Sequence, residues 1–156
     1  MIKILPIITL PNPILRKKSV KLDFKKITAD EIKKFCSDMY ATATKADGVG
    51  LSAPQIGKNI RLVVLNTQDG QLNLLNPELI KKSWDKNLDI EGCLSVPGIY
   101  GKVKRHKKIV CRYFDETGKK LVLNANGLLA RVIQHEIDHL DGILFIDKAI
   151  EIEKQI

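Results

Sequence analysis

Two of the chain's three histidines lie four residues apart in the segment QHEIDHLDG, residues 134–142. Residues i and i+4 share one face of an α-helix, so His135 and His139 can direct ring nitrogens at a common atom. Glu136 lies about 100° further round such a helix and can act on water without being a ligand. The spacing therefore predicts a metal site, in which the metal acidifies water and the carboxylate accepts the proton.

A catalytic metal centre needs a third protein ligand and one open position. Downstream, Phe145 stands where the peptidase pattern HExxHxxGxxH has its third histidine, and a phenyl ring cannot bind a metal. Glu151 and Glu153 lie in a charged C-terminal segment that we expect to fray. Upstream, Cys93 in the stretch EGCLSVPG can supply a thiolate to complete a tetrahedral set. A buried thiol without a ligand function is the alternative for Cys93.

Two helices are predicted. Thr28 and Glu31 form a capping-box pattern, followed by apolar residues at helical spacing, so an amphipathic helix should begin there and end near Gly48. Residues 127–140, GLLARVIQHEIDHL, are apolar on nearly every side apart from the motif residues, which is typical of a helix enclosed by sheet. The histidines are therefore expected on a buried helix.

The middle of the chain, residues 61–115, contains short β-rich runs separated by turns such as Asp69-Gly70. No linker divides the sequence. We expect an α+β fold in a single domain over residues 1–156, with short, mainly antiparallel strands packed around the buried HExxH helix and a second amphipathic helix near the N-terminus. The prolines of LPNPILRKKS, residues 10–19, predict an extended or turning arm rather than a helix.

A third stretch, GVGLSAPQIG at residues 48–57, combines glycines with Pro54 and with Gln55, an amide donor at the start of a strand. Taken alone, it could be a purely structural turn. Together the three stretches resemble peptide deformylases, whose signatures GxGxAAPQ, EGCLS and QHExDHLxG occur in this order. PNPILR and DGILFxD are also similar to that family, so the resemblance spans nearly the whole chain.

The resemblance implies a metallohydrolase that removes the N-formyl group from the initiator methionine of new polypeptides and releases formate. N-formyl-methionyl nascent peptides would be its substrates. It implies Cys93, His135 and His139 as ligands of one divalent metal ion, with iron(II) as the native metal and zinc, nickel or cobalt able to replace it. Ligand softness alone would favour zinc.

The same resemblance assigns the catalytic functions. Glu136 matches the general base, which later delivers the proton to the leaving amine. The side chain of Gln55 and the backbone N–H of Leu94 match the two donors that hold the oxygen of the tetrahedral intermediate, which is oxyanion-hole chemistry.

Substrate binding is also implied by the resemblance. Gly50 should offer its backbone to the peptide in a strand-like pairing. Val49 and Val132 would line the methionine pocket. Glu91 is a further candidate at the substrate site, and it would pair with Arg105 to hold the ligand loop or form a simple surface pair.

Three positions depart from the family's usual pattern. Ser52 replaces an alanine, for which we expect only a packing effect. Tyr100 replaces an arginine near the substrate entrance of many bacterial members, which changes how the far end of the peptide is anchored. The tail after Gly142 is too short for the long C-terminal helix of some members, so ribosome docking through such a helix is not expected.

The formal net charge of +8 comes from lysines scattered along the chain, and only residues 102–108, KVKRHKK, form a patch. A solvated surface is expected there, with a weak contact to ribosomal RNA as the alternative. No DNA-binding motif accompanies it, and no apolar run reaches the roughly 18 residues that a membrane span needs. The odd, scattered cysteines Cys36, Cys93 and Cys111 indicate a reducing compartment. We expect a bacterial-type cytoplasm, with an organellar stroma or matrix as the alternative.

Two other functions stay open from the residues alone. A zincin-like endopeptidase would use the same helix to cut internal amides, and would keep its metal affinity in Cys93→Ser. A metal-stabilised RNA-binding domain would use the basic surface, and would be unaffected by Glu136→Ala.

Overall fold

The computed structural model describes residues 1–155 and has the expected α+β fold. Its helices are α1 (Ala29–Lys45) and α2 (Gly127–Leu140), which is the HExxH helix. The strands are β1 (Gly50–Ser52), β2 (Leu62–Thr67), β3 (Gly70–Lys82), β4 (Lys86–Cys93), β5 (Val96–His106), β6 (Lys108–Phe114), β7 (Lys120–Asn126) and β8 (Ile150–Lys154).

Helix α1 has the predicted N-terminus. The side chain of Thr28 accepts a hydrogen bond from the N–H of Glu31, and the carboxylate of Glu31 accepts one from the N–H of Thr28. The helix ends at Lys45, slightly before the expected position. Cys36 is fully buried on its apolar face, so its sulfur fills the core.

The larger sheet has five antiparallel strands in the order β1-β2-β3-β6-β7 and carries a helix on each face. Alternate residues of strand β2 pack against the two helices. Val63 and Leu65 pack into the core that contains α2, whereas Leu62 and Val64 pack into the core that contains α1. Because both faces of β2 are covered, its sequence is apolar at successive positions. Strand β1 is left at the edge of this sheet.

A smaller antiparallel sheet, in the order β4-β5-β8, lies on the other side of α2. The expectation that the C-terminal segment frays is wrong, because β8 pairs with β5 and Tyr100 faces Glu153 in that register. Glu151 forms an ion pair with Lys102 and does not belong to the ligand cluster around the histidines.

Helix α2 lies between the two sheets. Its residues Ala130, Ile133 and Leu140 belong to the core against the larger sheet. It ends at Leu140, and two residues later Gly142 has a φ of 74°, which suits glycine, and a Cβ there would lie 2.5 Å from the carbonyl oxygen of Arg16. The helix therefore stops where the N-terminal arm crosses it.

The N-terminal arm turns at Leu10 and Pro11, where the N–H of Asn12 donates to the carbonyl of Thr9 at 3.1 Å, and then differs from the expectation. Residues Pro13–Arg16 form one turn of 3-10 helix, in which the side chain of Asn12 accepts a hydrogen bond from the N–H of Ile14. Proline fixes its own φ in the helical range, so it suits the first turn. Among the described residues, no helix has the length and hydropathy required to cross a bilayer.

Candidate metal centre and active site

The three predicted ligands converge in the structure. Cys93 is the last residue of β4, and both histidines lie on the face of α2 that is turned towards Cys93. One possible ligand atom from each of Cys93, His135 and His139 lies within 4.8 Å of the other two. The Sγ atom of Cys93 is 3.2 Å from Nε2 of His139. The pairing of β4 with β5 shifts register after Gly92, which turns the thiol out of the strand towards the helix.

This donor set fits a divalent transition metal. One sulfur and two imidazole nitrogens are ligands that such ions accept, and three protein ligands leave a position for a reactant. Beside them, Oε2 of Glu136 is buried and has no hydrogen-bond partner among the described residues. A buried carboxylate oxygen without a partner is costly, so this atom indicates a polar group that the polypeptide does not supply.

His135 is held in place by a buried ion-pair network. Its Nδ1 lies 2.8 Å from Oε1 of Glu91, which leaves Nε2 for the metal. Arg105 binds both oxygens of Glu91 at 2.9 Å, and Arg131 donates to Oε2 at 2.6 Å. Burial raises the pKa of Glu91, but the hydrogen bonds from Arg105 and His135 outweigh it and lower the pKa to about 2. The carboxylate is therefore ionised.

The imidazole pKa values of His135 and His139 are shifted in opposite directions. Burial lowers the pKa of His135, yet hydrogen bonds to Cys93 and Glu91 and the charge of Glu136 raise it to about 10. The anionic groups that attract a proton there also attract a metal cation. For His139, burial and the neighbouring charge of His135 lower the pKa well below its usual value. Its ring is neutral, which is the state a ligand needs, whereas His135 would release its Nε2 proton when a metal binds.

Glu136 has a buried carboxyl group with a raised pKa. Burial raises the pKa of its carboxyl group to about 7, which suits a group that accepts and returns a proton near neutral pH. Its carboxylate lies against β1, where a Cβ added at Gly50 would come within 3.0 Å of Oε1. Only glycine at this position lets the strand approach the carboxylate so closely.

Both the oxygen and the nitrogen of the Gln55 side-chain amide form hydrogen bonds. It lies on a 3-10 turn, Ala53–Ile56, and is 1% exposed. Its Oε1 accepts from the N–H of Ser52 at 2.9 Å and from its hydroxyl at 3.0 Å. Its Nε2 donates to Ser95 at 3.1 Å and faces the sulfur of Cys93 at 3.6 Å. The expectation that Ser52 affects only packing is therefore wrong, because its hydroxyl orients this amide.

The remaining predicted residues border one cleft of about 540 Å³ beside the ligands. Gly50 contributes from the edge strand β1, and Val49 and Val132 contribute apolar atoms. Leu94 lies in the turn between β4 and β5, and its N–H donates to no backbone carbonyl within residues 1–155. Glu91 also borders the cleft, with its carboxylate turned into the arginine network.

The sequence did not show the partners of three residues in this centre. Arg131, one helical turn before His135, could have been suspected because a charged residue on an otherwise apolar helix needs a partner. Asp138 pairs with Arg105 and Lys148. Ser95 had no sequence signal beyond its place in the EGCLS stretch.

Comparisons with known proteins agree with this geometry. The model of the polypeptide deformylase family matches residues 4–155. The chain belongs to the polypeptide deformylase family. The peptide deformylase of Syntrophomonas wolfei is 50% identical over 145 residues, which cover 93% of each chain.

Solved deformylase structures have the same fold. The enzyme from Thermotoga maritima is 34% identical, with a TM-score of 0.89 over 95% of this chain and 99% of that one. A class I type b peptide deformylase from Acinetobacter baumannii with Met-Ala-Ser bound is 29% identical, with a TM-score of 0.90 over 95% and 99% of the two chains. The family's fold is therefore present over almost the whole length.

Proposed function

We propose that Glu136 is the general base of the deformylation reaction that this chain catalyses. The chain is a metal-dependent hydrolase that removes the N-formyl group from the N-terminal formyl-methionine of newly made polypeptides and releases formate. The observation that carries the assignment is the convergence of Cys93, His135 and His139 beside a buried carboxylate oxygen that lacks a partner. With a pKa near 7, Glu136 can accept a proton from water and deliver it to the leaving amine.

Cys93, His135 and His139 would hold the metal, which we expect to be iron(II), with zinc, nickel and cobalt as substitutes. A divalent ion bound there supplies Lewis acidity and lowers the pKa of water. Glu91 would set the orientation and raise the basicity of His135, supported by its 2.8 Å contact to Nδ1.

Gln55 and Leu94 are proposed as the oxyanion donors. The amide of Gln55 is held by Ser52, so its Nε2 is oriented before substrate arrives and needs no reorganisation during the reaction. The N–H of Leu94 lies in the same cleft. Both groups would stabilise negative charge on the formyl oxygen as the tetrahedral intermediate forms.

The peptide would bind along β1. This strand pairs only with β2 in the described part of the chain, so its other edge can accept the substrate as an added strand through Gly50. Val49 and Val132 would contact the methionine side chain. Backbone pairing suits an enzyme that must accept many sequences after the first residue, and a relative binds Met-Ala-Ser.

Two further expectations stay predictions. A weak contact with the ribosome would use the basic surface, consistent with the net charge of +8. The compartment would be a bacterial-type cytoplasm, favoured by bacterial relatives such as that of Syntrophomonas wolfei, with an organellar stroma or matrix as the alternative.

Formate release from a formyl-methionyl peptide by anaerobically purified protein tests the function. The Glu136→Ala variant should keep its metal, measured by elemental analysis, and lose formate release by at least about 10²-fold. Asp30→Ala, which removes an exposed carboxylate from α1, is the matched control and should keep full activity. Metal-loaded protein that released no formate but cut unformylated peptides would favour the endopeptidase instead.

A further inference from the structure

The fold joins two basic segments that are distant in sequence. Residues 81–86, KKSWDK, span the end of β3, the turn after it and the start of β4, and residues 102–108, KVKRHKK, span the end of β5 and the start of β6. The N–H of Ser83 donates to the carbonyl of Lys108 at 2.8 Å, and Lys86 pairs with His106 in the smaller sheet. Only the second segment was recognisable as a patch from sequence. The two together form a larger positive surface.

An exposed tryptophan lies at the centre of this surface. Trp84 is the only tryptophan in the chain, and its side chain is 98% exposed. Tryptophan gains more than most residues from burial, so a fully exposed ring indicates a contact surface. Its neighbours in sequence, Ser83 and Asp85, are polar.

The lysines around the ring have no competing acid. Within residues 1–155, no carboxylate lies in ion-pair range of Lys81, Lys82, Lys86 or Lys108. The carboxylate of Asp85, the acid of this segment, is 3.7 Å from another lysine, Lys107. We name Trp84 with Lys81, Lys82, Lys86 and Lys108 the Trp84 surface.

A cavity of about 380 Å³ adjoins the Trp84 surface at the ends of β3, β6 and β7. Its lining consists of three lysines, three polar residues and three apolar residues: Lys81, Lys82, Lys108, Ser83, Asn124, Asn126, Ile109, Val110 and Ala125. Amines, amides and hydroxyls are the groups that proteins use to contact phosphate and sugar oxygens.

This cavity lies beside the active-site cleft. Asn126 lines the cavity and is the residue before α2, whereas Leu128, two residues later, lines the cleft. The two depressions therefore flank the first turn of one helix. A partner bound in this cavity would lie beside the first turn of the metal-binding helix.

We propose that the Trp84 surface binds single-stranded RNA, with the lysines on phosphates and an unpaired base stacked on Trp84. A positive groove with an aromatic platform is the usual arrangement for unpaired nucleic acid. Binding to an anionic membrane is the alternative that the test below distinguishes. The surface is separate from the hydrolytic centre, and it gives the weak ribosome contact a defined site.

The test uses the metal-loaded enzyme and a labelled, mixed-sequence RNA of about 12 nucleotides. Because Trp84 is the sole tryptophan, quenching of the protein's intrinsic fluorescence reports stacking directly. We expect quenching on titration, and a loss of RNA affinity of about tenfold in Trp84→Ala measured by anisotropy. The double variant Lys82→Ala/Lys108→Ala should reduce the salt slope of log K by about 1.4.

The matched control is Lys17→Ala/Lys18→Ala, which removes the same charge from an exposed pair on the N-terminal arm. Equal losses in both double variants would show a diffuse charge effect and overturn the proposal. Tryptophan fluorescence that stayed unquenched at saturating RNA would also overturn it. So would a blue shift of the Trp84 emission on adding anionic vesicles, if the protein did not bind RNA. All variants should release formate at the unmodified rate, so this result is independent of the hydrolase test.

Discussion

Oε1 of Glu91 lies 2.8 Å from Nδ1 of His135, although the two residues belong to different elements, β4 and α2. The same carboxylate binds Arg105 and Arg131. Glu91 therefore connects the smaller sheet to the metal-binding helix and determines which nitrogen of His135 is presented to the ligand position.

Replacing Glu91 with glutamine should weaken metal binding. The amide cannot neutralise two buried arginines or hold Nδ1 of His135 as firmly, so we expect about a 10- to 100-fold loss of metal affinity. Chelator competition measures it. Glu78→Gln, which disrupts an exposed pair with Arg112, is the control and should bind metal normally. Unchanged affinity in Glu91→Gln would mean that the network is only structural.

Gly50→Ala should impair catalysis without loss of metal. The new methyl group would lie 2.9 Å from Leu65 and 3.0 Å from Glu136, so the carboxylate must move. A displacement of this kind should lower kcat by about 10²-fold. In the control Gly48→Ala the closest atom is a side-chain methyl of Leu94, which can rotate away. Steady-state kinetics with metal analysis distinguishes the two.

Gln55→Glu should affect the rate more than substrate binding. The carboxylate still accepts from Ser52 but lacks the N–H donors, so kcat should fall by about 10²- to 10³-fold with little change in KM. Ser95→Ala removes only an acceptor of that amide and should have a much smaller effect. A change confined to KM would argue against oxyanion stabilisation by Gln55.

Thiol modification should identify the ligand cysteine. Burial raises the pKa of Cys36 to about 12 and that of Cys111 to about 11, so neither should react while the protein is folded. Cys93 is partly exposed and should react in metal-free protein. Added zinc should slow its modification, followed by mass spectrometry. A Cys93 rate that did not respond to metal would remove it from the ligand set.

Local patterns in the sequence predicted much of the fold. The capping box at Thr28 and the helical spacing of His135 and His139 each depend on residues within one or two turns, so they are readable without tertiary information. Ligand chemistry made Cys93 a candidate for the third ligand, but only the resemblance favoured it over a buried thiol, because spacing cannot show which distant loop meets a helix.

Features that depend on pairing between distant residues were missed. Strand β8 carries alternating charge and was expected to fray, but the exposed edge of β5 supplies its hydrogen bonds. Arg131 binds Glu91, which is distant in sequence, and Ser52 binds Gln55 across a tight turn. That residues 1–156 form one domain stays a prediction.

The order of the ligands along the chain has a consequence for biosynthesis. Cys93 precedes both histidines, and His139 is the last of the three to be added during translation. A copy still being translated therefore lacks the complete ligand set until His139 has been added and α2 has packed against Cys93.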